Sequence, residues 1–148
     1  MGQVNTRILP VLAIIVLGCL ILGVSAAVYY SITVQSRGKI KGIGVGIYAN
    51  AEASIVVSEI DWGILEPGDS ANVTVYIKNE GNVVANLTMK TEAWTPAQAE
   101  ESIQLTWDYD GTELGVSDIR CVTFTLSVDP SIRGINDFSF DIIVTAVG

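Results

Sequence analysis

The chain contains no histidine, which removes the commonest acid–base group at neutral pH and the commonest metal ligand together. Cysteine is nearly absent too. Cys19 lies in an apolar run and Cys121 in an alternating segment, so there is no disulfide framework and no report of redox compartment. Acidic residues are missing before Glu52, whereas Arg7, Arg37, Lys39 and Lys41 precede it. From Glu52 onward, 4 basic residues stand against 16 acidic ones. Such a surface repels nucleic acid and anionic lipid, so DNA and RNA are not expected partners. Carboxylates are numerous, but nothing in the pattern places two of them in a cleft. No enzyme activity, catalytic residue or cofactor is expected.

Charge of either sign is also missing from residues 8–30, ILPVLAIIVLGCLILGVSAAVYY, and the next charge is Arg37. At ~1.5 Å per helical residue this run is long enough to cross a hydrocarbon core of ~30 Å. Two readings stand. The length favours a transmembrane anchor. The small residues Val24-Ser25-Ala26 match a signal-peptidase pattern, with cleavage between Ala26 and Ala27. Arg37, Lys39 and Lys41 counted alone would put the following domain inside. An N-terminal run of this kind more commonly directs export, so the domain is expected outside the cell, anchored or released. Met1-Gly2-Gln3-Val4-Asn5-Thr6 fits a myristoylation pattern that a spanning helix makes redundant. Val16-Leu17-Gly18-Cys19 resembles a lipoprotein box, but apolar residues continue through Leu22.

After residue 39 the period changes to two. Val73, Val75 and Ile77 alternate with polar residues, as do Ala85, Leu87 and Met89, then Ile103, Leu105 and Trp107. Val122, Phe124, Leu126 and Val128 form a further apolar face, and Phe138, Phe140, Ile142 and Val144 another. Residues 40–48 and 55–60 supply two more strands. Seven strands, each apolar on one side, predict an all-β antiparallel sandwich of the Ig-like class over residues 40–148. Residues 1–30 form the anchor or signal and 31–39 a juxtamembrane linker. Glu66-Pro67-Gly68-Asp69 suits a type II turn. Asn79-Glu80-Gly81-Asn82 reads as a short hairpin, and Asp110-Gly111 as another turn. Thr95-Pro96-Ala97-Gln98 has capping-box spacing and predicts a short helix over 96–102 that crosses between the sheets, with Trp94 plugging the core just before it.

The stretch Asn72-Val73-Thr74-Val75-Tyr76-Ile77-Lys78-Asn79-Glu80-Gly81-Asn82 resembles the strand–turn signature of CARDB/DUF11-like extracellular Ig domains. The layout of an N-terminal anchor followed by IDWGILEPGD, NEGN, WTPA, WDYDG and a terminal FSFDIIVTAVG is similar to small archaeal exported proteins. Its architecture also resembles fibre-forming subunits of the camelysin and archaeal bundling-pilus type. The resemblance implies a cell-surface sandwich and no shared catalytic residues.

Several segments are candidates for function. In one continuous strand, Gly42, Gly44 and Gly46 would share a bare face opposite Ile43, Val45 and Ile47. That face would let a neighbouring subunit's backbone approach, giving self-association into filaments by strand pairing. A first strand packed flush against its own sheet explains the same glycines. Asn72-Val73-Thr74 and Asn86-Leu87-Thr88 are N-glycosylation sequons on outward faces, marking Asn72 and Asn86. Asp108, Asp110 and Glu113 partly match a calcium loop, beside Trp107 and Tyr109, but the ligand set is incomplete and a solvated hairpin tip explains them better. The expected function is a non-enzymatic cell-surface structural or interaction protein, with a glycan- or calcium-binding surface module as the alternative.

Overall fold

The computed structural model describes residues 34–148. The anchor or signal over 1–30, the cleavage site at Ala26 and Ala27, Cys19 and the first part of the linker lie outside the described residues. The described chain forms eight strands: β1 (Val34–Ile43), β2 (Val45–Tyr48), β3 (Glu59–Leu65), β4 (Ser70–Asn79), β5 (Asn86–Thr95), β6 (Ile103–Trp107), β7 (Ile119–Val128) and β8 (Asp137–Val147). They make two four-stranded sheets, ordered β3-β1-β8-β5 and β2-β4-β7-β6. Pairing is antiparallel except between β1 and β8, which run parallel.

The alternation places the core. On β7 and β8, Val122, Phe124, Leu126 and Val128 face Phe138, Phe140, Ile142 and Val144, all buried within one cluster that draws on both sheets. Burying each such side chain contributes roughly 1.5–3 kcal/mol relative to exposure. Trp94 closes the cluster near the end of β5, its ring stacked on Phe140 with centroids 4.2 Å apart and planes 8° apart. A 3-10 helix, Ala97–Glu101, then carries the chain from β5 in the first sheet to β6 in the second, as the spacing predicts. Its N-cap is Pro96 rather than Thr95, with no side-chain cap bond, because Thr95 still pairs with Ser139 in the sheet.

Four expectations are corrected. Residues 34–39 are not linker, because β1 already begins at Val34, where Gln35, Arg37 and Lys39 face out and Ser36 and Gly38 face the core. Residues 40–48 are not one strand. Gly44 adopts φ +73° and divides them between β1 in the first sheet and β2 in the second, which makes eight strands rather than seven. The strand expected at 55–60 lies at Glu59–Leu65, with Trp62 and Gly63 in a bulge where the register against β1 shifts. Residues 79–82 join β4 to β5 in the opposite sheet, so they cross between layers and form no hairpin. The turn at Glu66-Pro67-Gly68-Asp69 is as expected, closed by Asp69 N–H donating to the Glu66 carbonyl at 3.0 Å with Gly68 at φ +91°.

Candidate interaction surfaces

The glycine segment is used within its own chain. Val45 and Ile47 are buried in the core, and Ile43 is half-exposed on the outer side of the first sheet. Gly42 lies against the Val45 carbonyl, where any Cβ would collide with backbone. Gly44 supplies the left-handed turn between the sheets, and its carbonyl accepts from Glu80 N–H at 3.2 Å. Gly46 lies beneath the Tyr48 ring, whose hydroxyl donates to Glu80 Oε1 at 2.5 Å. That bond to a carboxylate raises the Tyr48 hydroxyl above its ordinary pKa. The three glycines therefore do not share one bare face.

The acidic loop between β6 and β7 is likewise committed. Asp108 Oδ1 accepts from Thr123 N–H at 2.7 Å, and Asp110 Oδ1 accepts from Thr112 N–H at 2.9 Å. The Thr112 bonds, with a smaller contribution from Arg120, hold the Asp110 carboxyl below its usual range. Glu113 is exposed, and among the described residues no group of three acidic or thiol side chains could hold a metal. The aromatic pair beside this loop is no free platform. Trp107 stacks over Phe124, and the Tyr109 hydroxyl donates to the Thr112 carbonyl at 2.7 Å while accepting from Leu87 N–H at 3.2 Å.

Asn72, Thr74, Asn86 and Thr88 are all exposed, on the outer face of the second sheet for the first pair and of the first sheet for the second. Cys121 is exposed on the outer side of β7.

The two outer faces differ in chemistry. The first sheet carries Arg37, Lys39 and Lys41 on β1, Glu59 and Asp61 on β3, and Lys90 and Glu92 on β5. Ile143 points outward there yet is buried. It lies in register between Lys41 and Lys90, whose four-carbon stems can cover it. The second sheet presents two rows without charge, Ser70, Ser127 and Gln104 in one and Asn72, Thr125 and Thr106 in the next; in the third, Thr74 lies beside Thr123, whose N–H bonds to the exposed Asp108 carboxylate.

The sheet edges differ as well. β3 is protected by Glu59, Asp61 and its bulge, and β5 by Lys90, Glu92 and an irregularity at Ala93, which has φ 55°. β6 has only 5 residues. β2 has 4 and pairs with Tyr76–Asn79 of β4 alone, because at Ala49 the chain folds back and bonds to Ile55. Residues 70–75 of β4 are therefore paired with β7 on one side only.

One residue that carries the architecture was read from the sequence only as part of a turn. Asn79 is 1% exposed. Its Nδ2 donates to the Val83 and Leu114 carbonyls at 2.8 and 3.0 Å, and its Oδ1 accepts from Gly81 N–H at 2.9 Å. Its backbone bonds to Asp118 and Ser117, so a single side chain ties two loops at one end of the sandwich. The signal for it was an asparagine at an inward position of the period-2 pattern, two residues after Ile77. No protein-family model matches the chain, and no curated protein sequence matches it.

Proposed function

We propose that this chain is a non-enzymatic cell-surface structural or interaction protein, an Ig-like sandwich held at a membrane by its N-terminal segment. The observation that carries the reading is the join of an uncharged run of bilayer-spanning length at residues 8–30 to a β domain that closes its own core. Two four-stranded sheets linked by connections that cross between them support the Ig-like assignment. The acidic excess keeps such a domain soluble, and the sequons at Asn72 and Asn86 are open to glycosylation. Its work is contact rather than turnover. With the glycine segment engaged within the chain, the contacts fall to sheet edges and outer faces.

Cys121 offers the test. A membrane-impermeant maleimide applied to intact cells should label it, and intact-mass analysis should find the labelled chain in the envelope at full length, or in the culture fluid beginning at Ala27. Labelling that appears only after lysis would place the domain inside and overturn the reading.

A further inference from the structure

Among the described residues the edges of the first sheet are charged and bulged, and the second sheet leaves two uncharged edges, the 5 residues of β6 and the part of β4 beyond β2. Over residues 70–75, Ser-Ala-Asn-Val-Thr-Val, β4 has neither charge, proline nor bulge, and among the described residues β7 is its only strand neighbour. In an antiparallel ladder alternate N–H and C=O groups point away from the partner. Among the described residues, none of those outward groups on 70–75 has a protein hydrogen-bond partner. An edge of this kind is a template for another strand. Its inward side chains Ala71 and Val73 pack on the core but are only partly buried, so they have apolar surface left to cover.

Charge limits where a second copy can approach. Residues 34–148 carry 16 acidic and 7 basic side chains, so two copies repel wherever their charged surfaces meet. The open edge and the two rows that run from Ser70 and Asn72 across β7 and β6 carry no charge, so repulsion is least there. We propose that two copies of this chain pair edge to edge through residues 70–75 of β4, antiparallel and centred on Asn72. Side chains directly opposite one another in a sheet share a face, so a two-fold axis must pass through one residue position. Centring it on Asn72 sets Ser70 opposite Thr74 of the second copy, Ala71 opposite its Val73, and Asn72 opposite itself. The chain turns away at Asp69 before it would meet the second copy's β2, which ends at Tyr48, opposite Tyr76 of β4. The product is a continuous eight-stranded sheet whose uncharged outer rows are doubled.

A ladder this short lies at the small end of specific interfaces, well under the ~1,600 Å² typical of stable ones. The dimer is therefore weak in dilute solution and gains from any tether that raises local concentration. A glycan on Asn72 and pairing across Asn72 exclude each other. The inference goes beyond the cell-surface reading and does not depend on it, because it is tested on purified protein.

The test is sedimentation of the full chain in density-matched detergent, made in a host without N-glycosylation. The wild type should show a concentration-dependent dimer. Asn72→Lys and Asn72→Asp each put like charges face to face across the axis, and each alone should weaken dimerisation by up to about fivefold. Equimolar mixing of the two should restore a dimer, now a heterodimer. Restoration also shows that both variants are folded. A wild type that stays monomeric at the highest concentration, single variants that dimerise like the wild type, or a mixture that stays monomeric would each overturn the proposal.

Discussion

Replacing Gly42, Gly44 and Gly46 one at a time by alanine separates two explanations of the glycine segment. If glycine kept a bare face for a neighbour, all three changes would spare the folded monomer. The structure predicts three different losses of stability instead. At Gly42 a Cβ collides with the Val45 carbonyl, and that atom is backbone in the crossover between sheets, so it cannot swing aside. Overpacking of this kind costs about 1–3 kcal/mol, and a rigid neighbour puts Gly42→Ala at the upper end. At Gly44 the strain is conformational. With φ at +73°, an L side chain costs about 1–2 kcal/mol, offset by about 0.4–1 kcal/mol because alanine restricts the unfolded chain. The net is roughly 1 kcal/mol, before the tight approach of 3.3 Å to Ala146 Cβ is counted. At Gly46 the Cβ meets the side chains of Glu80 and Tyr48. Those side chains can move, and their exposed hydrogen bond is the main loss, so the change should stay within about 0.5–1 kcal/mol. Urea unfolding followed by the fluorescence of Trp62, Trp94 and Trp107 reads all three. With a slope near 2 kcal/mol per molar urea, a loss of about 2 kcal/mol lowers the midpoint by about 1 M. Equal effects at the three sites, or a neutral Gly42→Ala, would refute the reasoning.

Asn79→Ala should cost about 2–4 kcal/mol, since it strips partners from the Val83 and Leu114 carbonyls and the Gly81 N–H, and the same urea titration checks it. Trp94→Ala removes a ring stacked on Phe140 at the end of the core and should cost about 3–5 kcal/mol by thermal or urea unfolding. Ser36→Ala should be neutral or slightly stabilising, because the Ser36 hydroxyl is buried without a hydrogen-bond partner among the described residues, and a loss above about 1 kcal/mol would contradict this. Asp129 is held below its usual pKa by the Ser131 hydroxyl and N–H, and Asp110 chiefly by Thr112. A depressed carboxyl adds stability above its unfolded pKa of 3.8, and that contribution is lost as pH falls through the folded value. Melting temperature should therefore drop below about pH 4, and an Asp110→Asn, Asp129→Asn double variant should flatten that drop.

What could be read from the sequence is what period and turn chemistry encode locally. Inward and outward residues of β4 through β8 follow from alternation, because a strand against a core must bury every second side chain. The helix after Trp94 and the turn at Pro67-Gly68 follow from their residues. What could not be read is which strands are neighbours. The Asn79-Glu80-Gly81-Asn82 turn is as compatible with a hairpin as with a crossing between layers, and the choice lies in Asn79, whose partners Leu114 and Asp118 are more than thirty residues away. Gly44 shows the same limit. A glycine in an alternating run can be a bare position in one strand or the point where the chain leaves one sheet for another. Only the positive φ imposed by packing Ile40 and Val45 into the same core decides.

The sheet edges carry this argument into function. Where β2 ends sets how much of β4 is left open, and β2 ends because Asn50 turns the chain, its Oδ1 accepting from Ser54 and Ile55 N–H at 3.1 and 3.0 Å. Moving that turn along the chain by two residues would let β2 continue beside residues 74 and 75 and close most of the open edge. The charge pattern of β4 is consistent with an edge meant to stay open. Lys78 lies where β2 covers the strand, whereas residues 70–75, which have no cover, carry no charge. Edges that proteins need to protect show the reverse arrangement, as β3 and β5 do here. A lysine at Thr74 would bring this edge into line with them. It lies on the exposed face, so it should leave folding stability within about 0.5 kcal/mol of wild type and act only on what the edge can bind.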